Sequence, residues 1–352
     1  MKLQKAIYLI LLLCFSIDLS AQNEVYEGDY LIRSKRELER FATSGIKIIT
    51  GDLRINEDDH FGDSSIFEGN ENALSKIEEV QGFISIGLEK EVETIRISSL
   101  KTVDQISVSG TKRVELPRLE KTRFISYSNV LEFIAPKLKK LTSLEPRFGV
   151  KKIHFPSLEI IEDRLVIKGE SAKQLEELSL PNLRSVGSYI YIFGPDDPSV
   201  TWAPRINLHN LENVGSSLWI RELSQDAVVN VEKLEKVGGD LWLDLYLPNM
   251  PKLQSVDASV RLIIDNSIHQ EISFESLEES ATFRVAGNSL DIFVKLNLPK
   301  LERVEKWIDT GVVGYYVPFN EVDLSSLVSA DEINLRAKKV KLNSLSYFND
   351  LT

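Results

Sequence analysis

The sequence predicts an all-β protein, a parallel β-solenoid with a short N-terminal capping helix, on three observations. A leucine-centred unit recurs along most of the chain. Apolar residues alternate at period two on both sides of each leucine, and no helical periodicity of useful length interrupts the units.

The unit is clearest in the stretch Leu296-Asn297-Leu298-Pro299-Lys300-Leu301-Glu302-Arg303-Val304. Anchored on its third leucine, it recurs thirteen times between Ile77 and Leu345, with gaps of 18 to 28 residues and a mean of about 22. Five and three residues before the anchor stand inward pairs such as Ile153/Phe155, Leu178/Leu180 and Ile206/Leu208. Alternation of this kind is the mark of a strand with one buried face. Proline often stands two residues before the anchor, as at Pro117, Pro181 and Pro299. Having no amide hydrogen and a fixed φ, it marks the corner where that strand ends.

After the anchor come an apolar residue at plus three and a second pair at plus seven and plus nine, as in Val186 with Ile190 and Ile192, or Val237 with Leu241 and Leu243. Gly187, Gly215, Gly238 and Gly239 follow the valine, where a corner of positive φ would favour glycine. A second flavour is one residue shorter and lacks the glycine: Val103 with Ile106 and Val108, and Ala330 with Ile333 and Leu335. Two short strands per unit cannot bury their apolar face alone, so the coils must stack. The exposed ends of such a stack call for caps. Ser34-Lys35-Arg36-Glu37, followed by Leu38, Phe41 and Ala42, predicts a capped amphipathic helix that closes the N-terminal end and leads into a first strand at Ile46–Ile55. Tyr347 and Phe348 close the last unit.

The leading residues have the parts of a secretory signal: Lys2 and Lys5, an apolar run from Ala6 to Phe15, and Leu19-Ser20-Ala21 before Gln22. The expected organisation is therefore a signal peptide over 1–21, an N-terminal segment with the helix and first strand over 22–50, and the solenoid over 51–352. The apolar run is too short to span a bilayer, and no later segment is apolar enough, so no transmembrane anchor is expected in the mature chain. Leu13 before Cys14 disfavours lipidation. Cys14 is the sole cysteine, which leaves the mature protein without disulfides or thiolate chemistry. With no Asn-x-Ser/Thr acceptor either, the chain suits a bacterial periplasm, cell surface or extracellular medium.

The helix, the stretch Ile49-Thr50-Gly51-Asp52-Leu53-Arg54-Ile55, and the units Leu211-Glu212-Asn213-Val214-Gly215-Ser216-Ser217-Leu218-Trp219-Ile220 and Leu234 to Leu243 resemble the receptor L-domain. That resemblance spans most of residues 28 to 345 and implies a right-handed parallel β-solenoid that binds ligands through exposed faces and loops. It implies no catalytic residue. A conventional leucine-rich repeat is the nearest alternative, but the asparagine expected at a fixed position of every repeat is missing.

The formal charge of −11 becomes −12 when Lys2, Lys5 and Asp18 leave with the signal. Such a surface repels nucleic acid, anionic lipid and acidic polymers unless a local basic patch intervenes. Lys137, Lys139, Lys140, Arg147, Lys151 and Lys152 form the one basic concentration legible in the sequence, where solvated coil rims are the alternative reading.

The histidines, His60, His154, His209 and His269, show no metal-ligand spacing, and no nucleophile elbow or phosphate loop occurs. In the acidic stretch 56–71, Glu57, Asp59 and Glu68 match calcium-loop positions, but Phe61 occupies a ligand position and flanking helices are missing. Two inserts break the rhythm, Phe193 to Pro204 and Gly311 to Phe319. Their aromatics Trp202, Tyr315, Tyr316 and Phe319 are the candidate ligand contacts, with folding back onto the solenoid as the alternative.

The expected function is an exported, non-enzymatic recognition, adhesion or scaffold protein that binds a protein or glycan and needs no cofactor. A β-helical polysaccharide lyase or hydrolase and a structural spacer are the alternatives.

Overall fold

A computed structural model describes residues 24–56, 66–146, 149–168, 174–195, 202–224, 226–244, 249–264, 271–287, 295–312, 315–316, 319–348 and 350–351. It is a parallel β-solenoid of about 11 turns with a single short helix. The alternating residues form the two expected strands in most coils. The structure adds a third, so each coil has three sides.

Face A carries the strand before the anchor, for example Glu177–Ser179, Arg205–Asn207 and Val228–Asn230. Face B carries a two-residue strand around the plus-three valine: Ser185–Val186, Asn213–Val214 and Lys236–Val237. Face C carries the second predicted strand, as in Ile190–Phe193, Leu218–Arg221 and Leu241–Asp244. Pairing is parallel and in register, so Leu178 stacks on Ile206, Val186 on Val214, and Ile190 on Leu218. Eleven of the thirteen leucine units have a face A strand. Before Ile77 that place is taken by turns, and before Leu253 it falls largely outside the described residues.

The repeated leucine sits where faces A and B meet. All anchors from Ile77 to Leu327 are fully buried, and Leu345 is partly buried. Eleven of the thirteen close a four-residue turn by donating their backbone N–H to the carbonyl three residues earlier, as Leu183 to Leu180 at 3.1 Å and Leu211 to Leu208 at 2.9 Å. Proline therefore occupies the second turn position, where its fixed φ is already correct. One step before the anchor, Asn210 Nδ2 donates to the Pro181 carbonyl and Asn182 Nδ2 to that of Pro156, both at 2.7 Å, while Lys233 Nζ reaches Asn210 Oδ1 at 2.6 Å. A short asparagine ladder thus exists in these coils, although it does not extend to every repeat.

The corner between faces B and C corrects the reason expected for its glycines. Gly187, Gly215 and Gly238 do not have positive φ. They are needed because successive coils nearly touch there: a β-carbon on Gly238 would lie 2.9 Å from the Gly215 carbonyl carbon and closer still to its oxygen. Their backbones remain hydrogen-bonded, Gly215 N to Val186 O and Gly238 N to Val214 O, each at 2.9 Å. Left-handed backbone is found at the corner between faces C and A, at Gly110, Asn129, Gly149 and Glu222, and, in the first coil, between faces B and C at Gly28. Short and long units meet through register shifts, as between Val80 and Phe83 or Val256 and Ser259, so the inward phase survives the missing residue.

The helix forms as expected over Lys35–Thr43, with the Ser34 side chain accepting from Glu37 N and with Leu38 and Phe41 buried. It is not a terminal cap. Strands Val25–Tyr26 and Tyr30–Ile32 precede it and pair with Ile48–Ile49 and Leu53–Asn56, so the helix fills the face A position of an early coil. The single strand expected over Ile46–Ile55 is two strands broken at Thr50-Gly51-Asp52. At the other end Tyr347 and Phe348 are 53% and 47% exposed and continue the stack rather than cover it; Tyr347 bridges Ser329 on face B.

Candidate functional site

Face C places one side chain outward between each inward pair, at anchor plus eight in the long units. Because the coils are in register, these residues form a row along the stack: Val166, Tyr191, Trp219, Trp242, Arg261 and Arg284. Tyr191 and Trp219 stack at 4.5 Å with their planes 17° apart, and Tyr189 stacks on Tyr191 at 4.2 Å. Trp219 meets Trp242 edge-on at 5.3 Å. Two guanidiniums lie over the Trp242 ring, that of Arg221 at 4.1 Å and that of Arg261 at 4.3 Å. Arg284 lies 4.7 Å from the Trp307 ring.

Stacked rings cover one another's faces, which leaves ring edges and guanidinium N–H groups to meet a ligand. Edges carry the positive side of the ring quadrupole, so both parts attract electronegative atoms. Three N–H donors of this patch are shielded from solvent without a hydrogen-bond partner: Trp219 Nε1, Trp242 Nε1 and Arg284 Nε. The flanking carboxylates are engaged: Asp244 Oδ2 lies 3.5 Å from Arg221 Nε, and Asp309 accepts from Arg284 at 3.2 Å. Burial holds the Asp244 carboxyl above its usual range, against the pull of Arg221 and Arg261. Burial likewise raises the Tyr191 phenol, with Tyr189 and Asp240 adding to it.

No protein-family model, curated protein or solved structure matches this chain. The geometry of the chain itself therefore carries the functional argument.

The residues singled out from the sequence lie elsewhere. Trp202 is only 3% exposed and donates its indole N–H to the Leu175 carbonyl at 3.0 Å, so it folds back onto the solenoid. It borders an open hollow of about 920 Å³ that also touches Lys151, Glu176, Arg205 and Asp226. Phe319 is fully buried. Tyr315 and Tyr316 form a two-residue strand antiparallel to Gly311–Val312, and their side chains lie outside the described residues. Glu57, Asp59 and His60 also lie outside them, as do His269, Arg147 and residues 1–23 with the proposed signal and Cys14. Glu68 is exposed. No group of three or more potential metal ligands occurs among the described residues, and no helix there is long and apolar enough to cross a membrane. Two members of the lysine concentration pair with carboxylates of neighbouring coils, Lys140 with Glu162 and Lys151 with Glu176.

Sequence reasoning missed the face C row although the signal was present. It compared the inward positions at plus seven and plus nine, while Tyr191, Trp219, Trp242 and Arg261 all stand at plus eight.

Proposed function

We propose that this chain is an exported, non-enzymatic recognition protein of the cell surface or periplasm, whose ligand lies along the outward row of face C. The observation that carries the reading is the continuous run Tyr191–Trp219–Trp242–Arg261, half-buried or exposed, held in register on four neighbouring strands. Side chains fixed by stacking have little freedom left to lose on binding, so covering them costs little entropy. Aromatic and arginine residues are also those that dominate contact energies at recognition surfaces. The binding surface moves from the inserts to a strand face. The resemblance to the right-handed receptor L-domain supports the same habit of ligand binding without catalysis.

The test is a screen of the mature protein against a glycan array and a protein partner library, with and without calcium. We expect a ligand whose affinity falls at least about tenfold, or roughly 1.4 kcal/mol, in Trp242→Ala and in Tyr191→Leu at an unchanged circular dichroism spectrum. Binding that both substitutions leave intact places the ligand elsewhere and overturns the proposal.

A further inference from the structure

Resting on that use of face C, we infer that its ligand is a linear acidic polysaccharide and that Arg261 takes an anionic group of it. The patch is rich in donors and short of acceptors. Trp219 Nε1, Trp242 Nε1 and Arg284 Nε are shielded and unpartnered, while Arg221 Nε has only Asp244 Oδ2 at 3.5 Å. Buried polar groups are ordinarily hydrogen-bonded, so three orphaned donors in one patch need an explanation. Their unanswered dipoles make the patch locally positive on a chain of net charge −11. Arg261 adds a full charge. Its guanidinium rests over Trp242 at 4.3 Å and has neither ion pair nor hydrogen bond among the described residues, whereas Arg221 faces Asp244 and Arg284 faces Asp309. A guanidinium held by a ring presents a preformed fork of N–H groups, the geometry that meets a planar carboxylate or a sulfate two bonds at a time.

The shape of the patch selects a polymer and a sugar. Tyr191, Trp219, Trp242, Arg261 and Arg284 succeed one another on adjacent strands. At about 4.8 Å per strand they form a straight track of roughly 20 Å. A linear chain can lie along it with its anionic groups at the arginine end and its hydroxyl oxygens toward the ring edges of the aromatic end. A peptide bound by strand addition would need a free strand edge for its main chain. Face C offers none along this track, because Leu218–Arg221, Leu241–Asp244 and Ser255–Ile264 each have a parallel partner on both sides.

The experiment uses the mature chain in affinity electrophoresis and calorimetry against four polymers: polygalacturonate, a sulfated glycosaminoglycan, a neutral β-glucan and poly-glutamate. We expect retention by one or both acidic glycans, weakening as salt is added. Arg261→Gln should reduce it at least about tenfold, and Arg261→Lys should fall between parent and Gln, with no change in thermal midpoint because Arg261 is exposed. If the neutral glucan binds as well as the acidic ones and is lost in Trp242→Ala but not in Arg261→Gln, face C is the binding surface and the acidic ligand is refuted. Tighter retention by poly-glutamate overturns the polysaccharide assignment. Retention by no glycan overturns it too, and the protein arm of the screen then decides the fate of face C. Release of unsaturated uronides would uphold the ligand class while refuting the non-enzymatic reading.

Discussion

Gly215 lies directly over Gly187, so close that a β-carbon on Gly215 would stand 2.8 Å from the Gly187 carbonyl carbon. Both partners are backbone, and neither can move aside without disturbing the bond from Gly215 N to Val186 O. Gly215→Ala should cost about 1–3 kcal/mol. Gly87→Ala, whose added carbon would meet its neighbours at 3.6 Å or more, should cost less. Urea midpoints of the two variants check the difference, and equal losses would refute the close-approach explanation.

Leu211 fills the corner between faces A and B with no exposed surface, whereas Leu345 holds the same position near the end of the stack and is only partly buried. Leu211→Ala should cost about 2–5 kcal/mol and Leu345→Ala clearly less. Equilibrium denaturation followed by circular dichroism measures both.

Trp202 and Trp242 should separate structure from recognition. Trp202→Ala removes a buried ring and its bond to the Leu175 carbonyl, and should cost about 3–5 kcal/mol. Trp242→Ala, at a half-buried outward position, should cost less than half of that and act on binding instead. A ligand lost in Trp202→Ala at full native stability would contradict the placement of this ring.

Asp244 makes stability depend on pH in a definite direction. Its carboxyl is raised by burial above the unfolded-chain value, so the native state retains a proton that the unfolded chain gives up. The stabilisation from that proton is fully present below the unfolded-chain pKa and is lost as pH rises through the raised value. Asp244→Asn should therefore be more stable than the parent at neutral pH, with the gap closing as the pH falls through the carboxylate range. Paired urea titrations across that range test it; an asparagine variant less stable at neutral pH would show that the attraction of Arg221 outweighs desolvation.

How much of the molecule was legible before the structure depends on what each residue must satisfy. The anchors, from Ile77 to Leu327, were plain because burial admits few residue types and the solenoid demands the same one in every coil. The strands of faces A and C were plain for the same reason. Face B was not, because a strand of two residues such as Asn213–Val214 has no room to show a period. The glycines were recognised as corner residues with the wrong cause, since a contact between coils 28 residues apart, as between Gly187 and Gly215, leaves no local trace. The helix was found but misplaced, because the brief strands at Val25–Tyr26 and Tyr30–Ile32 give no sign that a coil has already begun. The basic patch of the sequence lay in neighbouring lysines. That of the structure is built from Arg221, Arg261 and Arg284, which only the stacking of coils brings together.

Both long inserts leave the stack at the end of a face C strand, at the corner where Gly110, Asn129 and Glu222 adopt left-handed backbone. Chain added there does not interrupt the row that runs from Val166 to Arg284. The fold thereby separates two properties: the number of coils sets the length of the face C row, while the length of chain at this corner leaves the spacing of that row untouched.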